Sequence, residues 1–178
     1  MVKKRITFVP GDSRTREVML FTLPAAPGPI IYANMKIGIC SDHAGVEYKT
    51  RLISYLLGKG HEVVNFGTDS QESVDYPDFA HPLAEAVEKG EVDRGIALCG
   101  TGNGMAITLN HHKGIRAGLA WNTATAELIR RHNDANVLVM PARFISYRMA
   151  VSIVRTYLTT PFEGGRHQRR IEKIPVEQ

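Results

Sequence analysis

From Met35 onward, short apolar runs alternate with segments whose apolar residues recur at helical spacing. The runs have the length of buried strands and lie at 37–40, 62–66, 95–98, 115–120 and 136–140. Apolar residues three and four apart predict amphipathic helices at 47–58, 78–89, 105–110, 123–131 and 146–158. Strand–helix alternation with short connections predicts an α/β fold, a single three-layer α/β/α domain with a five-stranded parallel, Rossmann-like sheet.

Residues 1–34 differ from the rest of the chain in charge and in pattern. They carry a net charge of +3 out of the total of +4, and they end in a segment with Pro24, Pro27 and Pro29. The apolar run at 18–23 is too short for the apolar region of a signal peptide. We therefore expect residues 1–34 to be a flexible extension, or sequence ahead of the native start, and residues 35–178 to be the folded domain.

Composition excludes several classes of protein. Because most of the basic surplus lies in residues 1–34, the charge gives little support for nucleic-acid binding. Two cysteines do not form a disulfide scaffold and fit a reducing, cytoplasmic compartment. No apolar run is long enough to predict a membrane span.

The hexapeptide at 99–104 has the strongest functional pattern. It reads Cys99-Gly100-Thr101-Gly102-Asn103-Gly104 and joins a predicted strand to a predicted helix. Glycines allow a tight turn and a close approach to a ligand, and N–H groups at a helix start favour anions. The same N–H groups favour a thiolate, so the loop predicts an anion cradle beside a base or nucleophile. Alternatively, the turn is only structural and the thiol is inert.

Other polar residues follow the predicted strands. Asp42 and His43 follow the first strand, and Arg143 follows the fifth. Ligands bind outside the carboxyl ends of parallel strands, so we expect a thiol, an imidazole, an aspartate and arginines to converge on one sheet edge. Such a set suits a small anionic substrate and proton transfer. The alternatives are that Asp42 only caps a helix, that His132 is only a helix-end charge, and that the arginines at 166–170 are a solvated run.

Two further kinds of site are disfavoured. His111 and His112 are adjacent, and no H-x-x-x-H or C-x-x-C spacing occurs, so we expect no metal. The loop departs from the G-x-G-x-x-G dinucleotide fingerprint, because its third glycine comes one residue early, and no Lys-Ser/Thr follows as in a P-loop. We expect no cofactor.

Five motifs in order resemble the ribose-5-phosphate isomerase B family, which also holds allose-6-phosphate and galactose-6-phosphate isomerases. They are Ser41–Gly45, Asp75–Pro77, Cys99–Gly104, Arg131–Val137 and Gly164–Arg170. The resemblance runs from Met35 to about Ile174 and does not cover residues 1–34. It implies a metal-free aldose–ketose isomerase of the non-oxidative pentose phosphate pathway, which interconverts ribose 5-phosphate and ribulose 5-phosphate.

The resemblance also implies roles for individual residues. Cys99 resembles the base that moves a proton between C2 and C1, and His132 the acid that opens the furanose ring. Thr101 and the N–H groups of Gly100, Gly102, Asn103 and Gly104 resemble the site that stabilises the enediolate. Sugar and phosphate contacts are implied for Asp42, His43, Tyr76, Asn133, Arg143, Arg166 and Arg170. Family members are dimers with sites at the subunit interface. The resemblance therefore implies a homodimer, or alternatively a tetramer, in which some contacts come from a second chain.

Two alternatives stay open. Hexose 6-phosphates differ from the pentose substrate by one carbon, and the depth of a pocket cannot be deduced from the sequence. A non-enzymatic phosphosugar-binding module would keep the arginines and the glycine loop but would not need Cys99 and His132.

Overall fold

The computed structural model describes residues 34–175, so the predicted extension at 1–34 lies almost entirely outside the described residues. The strands are β1 (Lys36–Ser41), β2 (Glu62–Asn65), β3 (Arg94–Cys99), β4 (Ala117–Leu119) and β5 (Val137–Pro141). The helices are α1 (Val46–Gly58), α2 (Pro77–Glu88), α3 (Asn103–Leu109), α4 (Thr123–Asn133), α5 (Tyr147–Thr159) and α6 (Arg166–Ile171). No helix within this range has the length and apolar content needed to cross a lipid bilayer.

The five strands form one parallel sheet in the order β2-β1-β3-β5-β4, which confirms the predicted α/β fold. From β1 the chain first moves outward to β2 and then returns to the other side at β3. The boundary between β1 and β3 is therefore the switch point of the sheet, where a crevice forms outside the strand ends. Asp42 and Cys99, the residues at the two strand ends, meet at this point.

Alternate strand residues face two separate apolar layers. Ile96 and Leu98 of β3 pack in a layer with residues of α1 and α5. Ala97 and Cys99, which point to the opposite face, pack with residues of α2 and α3. The thiol of Cys99 is therefore directed toward the side of the sheet that α2 and α3 cover.

The predicted boundaries differ from the observed ones where burial is weak. β4 was predicted at 115–120 but covers only three residues, all of intermediate burial. At Gly118 in this strand, an added Cβ would lie 2.8 Å from Ile129, so α4 packs directly on the backbone there. Helix α6 was not predicted, because its six residues are mostly charged and show no apolar repeat.

Candidate active site

The glycine loop encloses the thiol of Cys99 at the end of β3. Cys99 is buried, and the N–H of Gly102 donates to its Sγ at 3.1 Å. Gly102 has a φ of +80°, and an added Cβ would collide with Leu119. A side chain at this position would thus move the N–H away from sulfur. The contact therefore gives the Cys99 sulfur one backbone hydrogen-bond donor.

Part of the predicted anion cradle is used within the loop itself. The N–H of Gly102 is directed at sulfur, and the N–H of Asn103 donates to Thr101 Oγ1 at 3.3 Å. Thr101 is exposed, so its hydroxyl is accessible to a ligand. The loop therefore directs one N–H at the Cys99 sulfur and presents Thr101 beside it.

Two further segments hold the loop in place. The N–H groups of Ala142 and Arg143 donate to the carbonyls of Cys99 and Gly100, at 2.9 and 3.1 Å. The Arg143 side chain lies along Gly100, where an added Cβ would be 3.4 Å from its Cδ. On the other side, the Tyr76 ring covers Gly104, where an added Cβ would be 2.7 Å from Cζ. Arg143 and Tyr76, both predicted as sugar or phosphate contacts, therefore lie against the loop.

Asp42 and His43 complete this edge of the sheet. The Asp42 carboxylate accepts the N–H of Ala44 at 2.9 Å, so the helix-capping alternative is correct for one of its oxygens. The N–H of Asp42 donates to Leu98 O at 3.1 Å, which keeps the aspartate next to the end of β3. His43 accepts the N–H of Val74 at its Nδ1 at 3.4 Å. Its other ring nitrogen is thereby left as the N–H donor of the neutral ring.

The second cysteine does not take part. Cys40 is fully buried, and burial raises the pKa of its thiol far above the ordinary range. Cys40 pairs with Ala97, two residues before Cys99 on β3. Strand spacing then puts the Cα atoms of the two cysteines about 8 Å apart, beyond the roughly 7 Å that a disulfide spans.

His132 and Asn133 lie at the opposite edge of the sheet. They end α4, and the chain then enters β5 at its amino end, beside Gly95 of β3. Gly95 and Cys99 are four positions apart on β3, so the two edges are about 13 Å apart along the strand. The prediction that a thiol, an imidazole, an aspartate and arginines converge on one edge is therefore wrong for the imidazole of His132, and Asn133 lies beside it. A residue that ends a helix before a strand lies at the amino edge, whereas one that follows a strand lies at the carboxyl edge.

The arginines at 166–170 share this amino edge. A cavity of about 340 Å³ brings the end of α4 together with α6; it is lined by His132, Asn133, His167, Arg170, Ile171 and Ile174. Arg166 lies beside it, and its Nε donates to His167 Nε2 at 3.4 Å. The predicted convergence is thus also wrong for Arg166 and Arg170. One chain thus carries two separate groups of predicted site residues, candidate half-sites that we call the thiol edge and the histidine edge.

His132 has two neighbours that were not among the predicted site residues, Glu163 and His167. The rings of His132 and His167 are stacked, with centroids 4.2 Å apart and planes 4° apart. Glu163 Oε2 lies 3.8 Å from His132 Nε2. Burial, followed by the charges of His132 and Arg166, lowers the pKa of His167. Protonation of His167 is therefore disfavoured, and His132 is the ring of the stacked pair that lies beside the Glu163 carboxylate.

A partly buried ion-pair network fixes the end of α4. Arg130 is almost fully buried and donates to Asp134 Oδ1 at 2.8 Å and to Ala135 O at 2.6 Å. Arg116 donates to the other oxygen of Asp134 at 2.9 Å. Asp134 has a φ of +44°, the left-handed conformation that ends the helix. His132 is thereby held on a rigid helix end.

One group at the histidine edge has the composition of a metal site. Ligand atoms of His132, Glu163 and His167 lie within 4.8 Å of one another, the only such group of three in residues 34–175. Sequence spacing could not indicate it, because the residues come from separate segments. The two rings are parallel, so their nitrogens do not converge on one point, and Arg166 and Arg170 add positive charge. The arrangement suits an anion better than a cation.

Comparisons with a family model, with curated proteins and with solved structures all indicate the same family. A family model described as Ribose/Galactose Isomerase matches residues 37–174. Ribose-5-phosphate isomerase B of Escherichia coli is 44% identical over 144 residues, which cover 80% of this chain and 97% of that protein. Among solved structures, the ribose 5-phosphate isomerase of Thermotoga maritima is 54% identical with a TM-score of 0.77, covering 79% of this chain and 97% of that one. The enzyme of Mycoplasma genitalium with bound ribulose-5-phosphate is 42% identical with a TM-score of 0.76, covering 78% and 93%.

Proposed function

The chain belongs to the ribose/galactose isomerase family, and from this premise we propose that it interconverts D-ribose 5-phosphate and D-ribulose 5-phosphate through an enediolate. A relative that is 42% identical was solved with ribulose-5-phosphate bound, which supports a pentose phosphate as the substrate. The reaction belongs to the non-oxidative pentose phosphate pathway, and we propose a cytoplasmic location for it.

The observation that carries the proposal is the 3.1 Å contact between the Gly102 N–H and Cys99 Sγ. The thiolate of Cys99 removes the proton from C2 of the open-chain aldose and returns it to C1, while the oxygen-bound proton moves from O2 to O1. The intermediate carries a negative charge on oxygen. Thr101 and the loop N–H groups that are not directed at sulfur stabilise this charge, and one such donor is typically worth about 10²–10³ in kcat.

Ring opening precedes this step, because the sugar phosphate enters as a furanose. We assign the acid to His132, which donates a proton to the ring oxygen as the bond to C1 breaks and the C1 hydroxyl loses its proton to water, leaving the aldehyde. Arg166 and Arg170, beside the same cavity, bind the phosphate, with His43, Asp42, Tyr76, Asn133 and Arg143 as further sugar or phosphate contacts. Binding energy from the phosphate then positions the reacting carbons, which are remote from it.

We infer that the working enzyme is a homodimer in which the thiol edge of one copy faces the histidine edge of another. The separation of the two half-sites within one chain, by about 13 Å along β3, supports this. So does an exposed apolar surface at the thiol edge, where Trp121 is 53% and Phe144 is 72% exposed. These two aromatic residues line a cavity of about 300 Å³ next to Thr101 and Asn103.

The function is tested by initial rates on purified protein that has been dialysed against EDTA. Ribose 5-phosphate should be turned over with a higher kcat/KM than allose 6-phosphate or galactose 6-phosphate. A preference for a hexose phosphate would establish the alternative isomerase. Binding without turnover of any of the three would favour a phosphosugar-binding module, and loss of activity on chelation would contradict the proposed metal-independent mechanism.

Replacement of Glu163 by glutamine should slow turnover of cyclic ribose 5-phosphate more than that of ribulose 5-phosphate. The amide cannot stabilise a protonated His132, and for an exposed charge pair we expect an effect of about two- to fivefold. Glu127→Gln is the matched control, because Glu127 pairs with Arg131 at 3.0 Å much as Glu163 does at 3.1 Å. Equal effects of the two changes would mean that Glu163 acts only through Arg131.

We also propose that residues 1–34 are an N-terminal extension and that residues 35–178 form the isomerase domain. The family match, which begins at residue 37, supports this division. A chain that begins at Met35 should keep the melting temperature, solution mass and kcat/KM of the full chain. A drop of many degrees in melting temperature would indicate that the apolar run at 18–23 packs on the domain.

A further inference from the structure

A second group of titratable side chains connects α2 to the turn before β4, away from the thiol edge. His81 Nδ1 and His112 Nε2 lie 2.8 Å apart, and His112 Nδ1 lies 3.1 Å from Glu88 Oε2. The other oxygen of Glu88 accepts the N–H of Gly114 at 2.8 Å. The proposed isomerase mechanism uses none of these residues.

The hydrogen bonds determine which nitrogen of His112 is available. One oxygen of Glu88 accepts the Gly114 N–H and the other faces His112 Nδ1, and an ionised carboxylate can only accept hydrogen bonds. Nδ1 of His112 is therefore the donor to Glu88, and Nε2 carries the lone pair that faces His81. Histidines that bind metal ions almost always have their second nitrogen bonded to a carboxylate or carbonyl in this way.

Charge around the two rings also favours a cation. Glu85 lies one turn after His81 on the same face of α2, where its carboxylate pairs with Lys89 at 3.0 Å. Glu85 and Lys89 are both exposed where they pair, so this carboxylate can exchange Lys89 for another cation. Two imidazoles and a carboxylate are a common ligand set for zinc.

We propose that His81 and His112 bind a divalent late first-row transition metal such as Zn²⁺, with Glu85 supplying a third ligand and Glu88 orienting His112. Two bonds of about 2.0–2.1 Å at a tetrahedral angle need a nitrogen separation of about 3.3 Å. His81 must therefore move by about half an ångström from its 2.8 Å contact. Its side chain is exposed on α2 and can make this movement. The ion takes the place of the proton that His81 Nδ1 shares with His112 Nε2. That proton moves to the Nε2 atom of His81.

Such an ion would link helix α2, which carries His81, to the turn between α3 and β4, which carries His112. The same turn also supports the histidine edge. Gly114 O accepts from Asn136 Nδ2 at 2.7 Å, and Arg116 Nε donates to Asn133 O at 3.1 Å. A ligand that binds only the folded chain raises its melting temperature in proportion to the logarithm of its concentration.

The test is calorimetric titration of ZnCl₂ into the full, untagged chain after removal of metals with EDTA. The wild-type chain should bind one more equivalent than either His81→Gln or His112→Gln. Glu88→Gln should keep the site but weaken it by about 10- to 100-fold, the usual cost of losing such a supporting carboxylate. His111→Gln is the matched control, since His111 is exposed and adjacent to His112 but outside the cluster, and its titration should equal that of the wild type.

Any zinc binding at Cys99 or at the group of His132, Glu163 and His167 would be the same in all these variants. The proposed site is therefore measured by the difference between the wild-type titration and the titration of each variant. Circular dichroism and melting temperature without metal check that each variant is folded. With Cu²⁺, electron paramagnetic resonance should show two nitrogen ligands that are lost in His81→Gln and in His112→Gln. Identical zinc stoichiometry and affinity in the wild type and both histidine variants would overturn the proposal.

Discussion

Replacement of Cys99 by alanine should abolish isomerisation while the chain stays folded and still binds ribulose 5-phosphate. The thiolate is the proposed base, and Asp42, the predicted carboxylate at this edge, caps a helix turn with one oxygen. A positioned acid or base typically contributes about 10²–10⁴-fold, so we expect a loss at least this large in kcat with a small change in the dissociation constant. Steady-state kinetics and calorimetric binding measure the two quantities.

Cys40→Ala is the control for this change. Cys40 is the only other cysteine in the chain and is fully buried on the same face of the sheet. Its loss removes a thiol without touching the loop, so kcat should be retained apart from any effect on stability. Alkylation should inactivate the wild-type chain and be slowed by substrate. A Cys99→Ala chain with wild-type kcat would show that the proton is moved by another group.

The second large effect is expected at His132. His132→Asn should slow turnover of ribose 5-phosphate by about 10²–10⁴-fold, the usual contribution of general acid catalysis. The initial rate from ribulose 5-phosphate should fall much less, because this sugar has no furanose ring to open. Asparagine keeps a polar side chain at the helix end, and the network of Arg130, Asp134 and Arg116 that holds this end is unchanged.

The readout for His132 is the ratio of the two initial rates, each followed before product accumulates. His111→Asn, at an exposed position outside both half-sites, provides the control for loss of an imidazole. Equal losses in both directions would contradict a role in ring opening and would leave His132 as a residue that positions the sugar.

Much of the fold could be predicted because its cause is local. Ile96 and Leu98 alternate with Ala97 and Cys99, and helices cover both faces of their strand. The order β2-β1-β3-β5-β4 depends on which edge each crossover returns to, which no single segment encodes. α6 also depends on its surroundings, since His167 is its one buried residue.

The thiol edge was easier to predict than the histidine edge. Cys99, Thr101 and the glycines are contiguous in the sequence, so one motif contains both the reactive group and its supporting N–H donor. The stack of His132 on His167, with Glu163 beside it, joins segments about 30 residues apart and exists only because α6 packs against the end of α4. The segment Gly164–Arg170 is rich in glycine and arginine, and this composition does not predict that contact.

The position of Cys99 and His132 at opposite edges of one sheet has a consequence for inheritance. If each reaction centre takes its thiol from one copy and its imidazole from another, a chain with Cys99→Ala and a chain with His132→Asn are each defective alone but complement one another. Unfolded together, refolded and allowed to pair at random, they should recover about one quarter of the wild-type activity, because half of the two-fold dimers are mixed and each mixed dimer has one intact centre. Two genes that each encode one of these damaged chains would then restore, in one cell, isomerase activity that neither gives by itself.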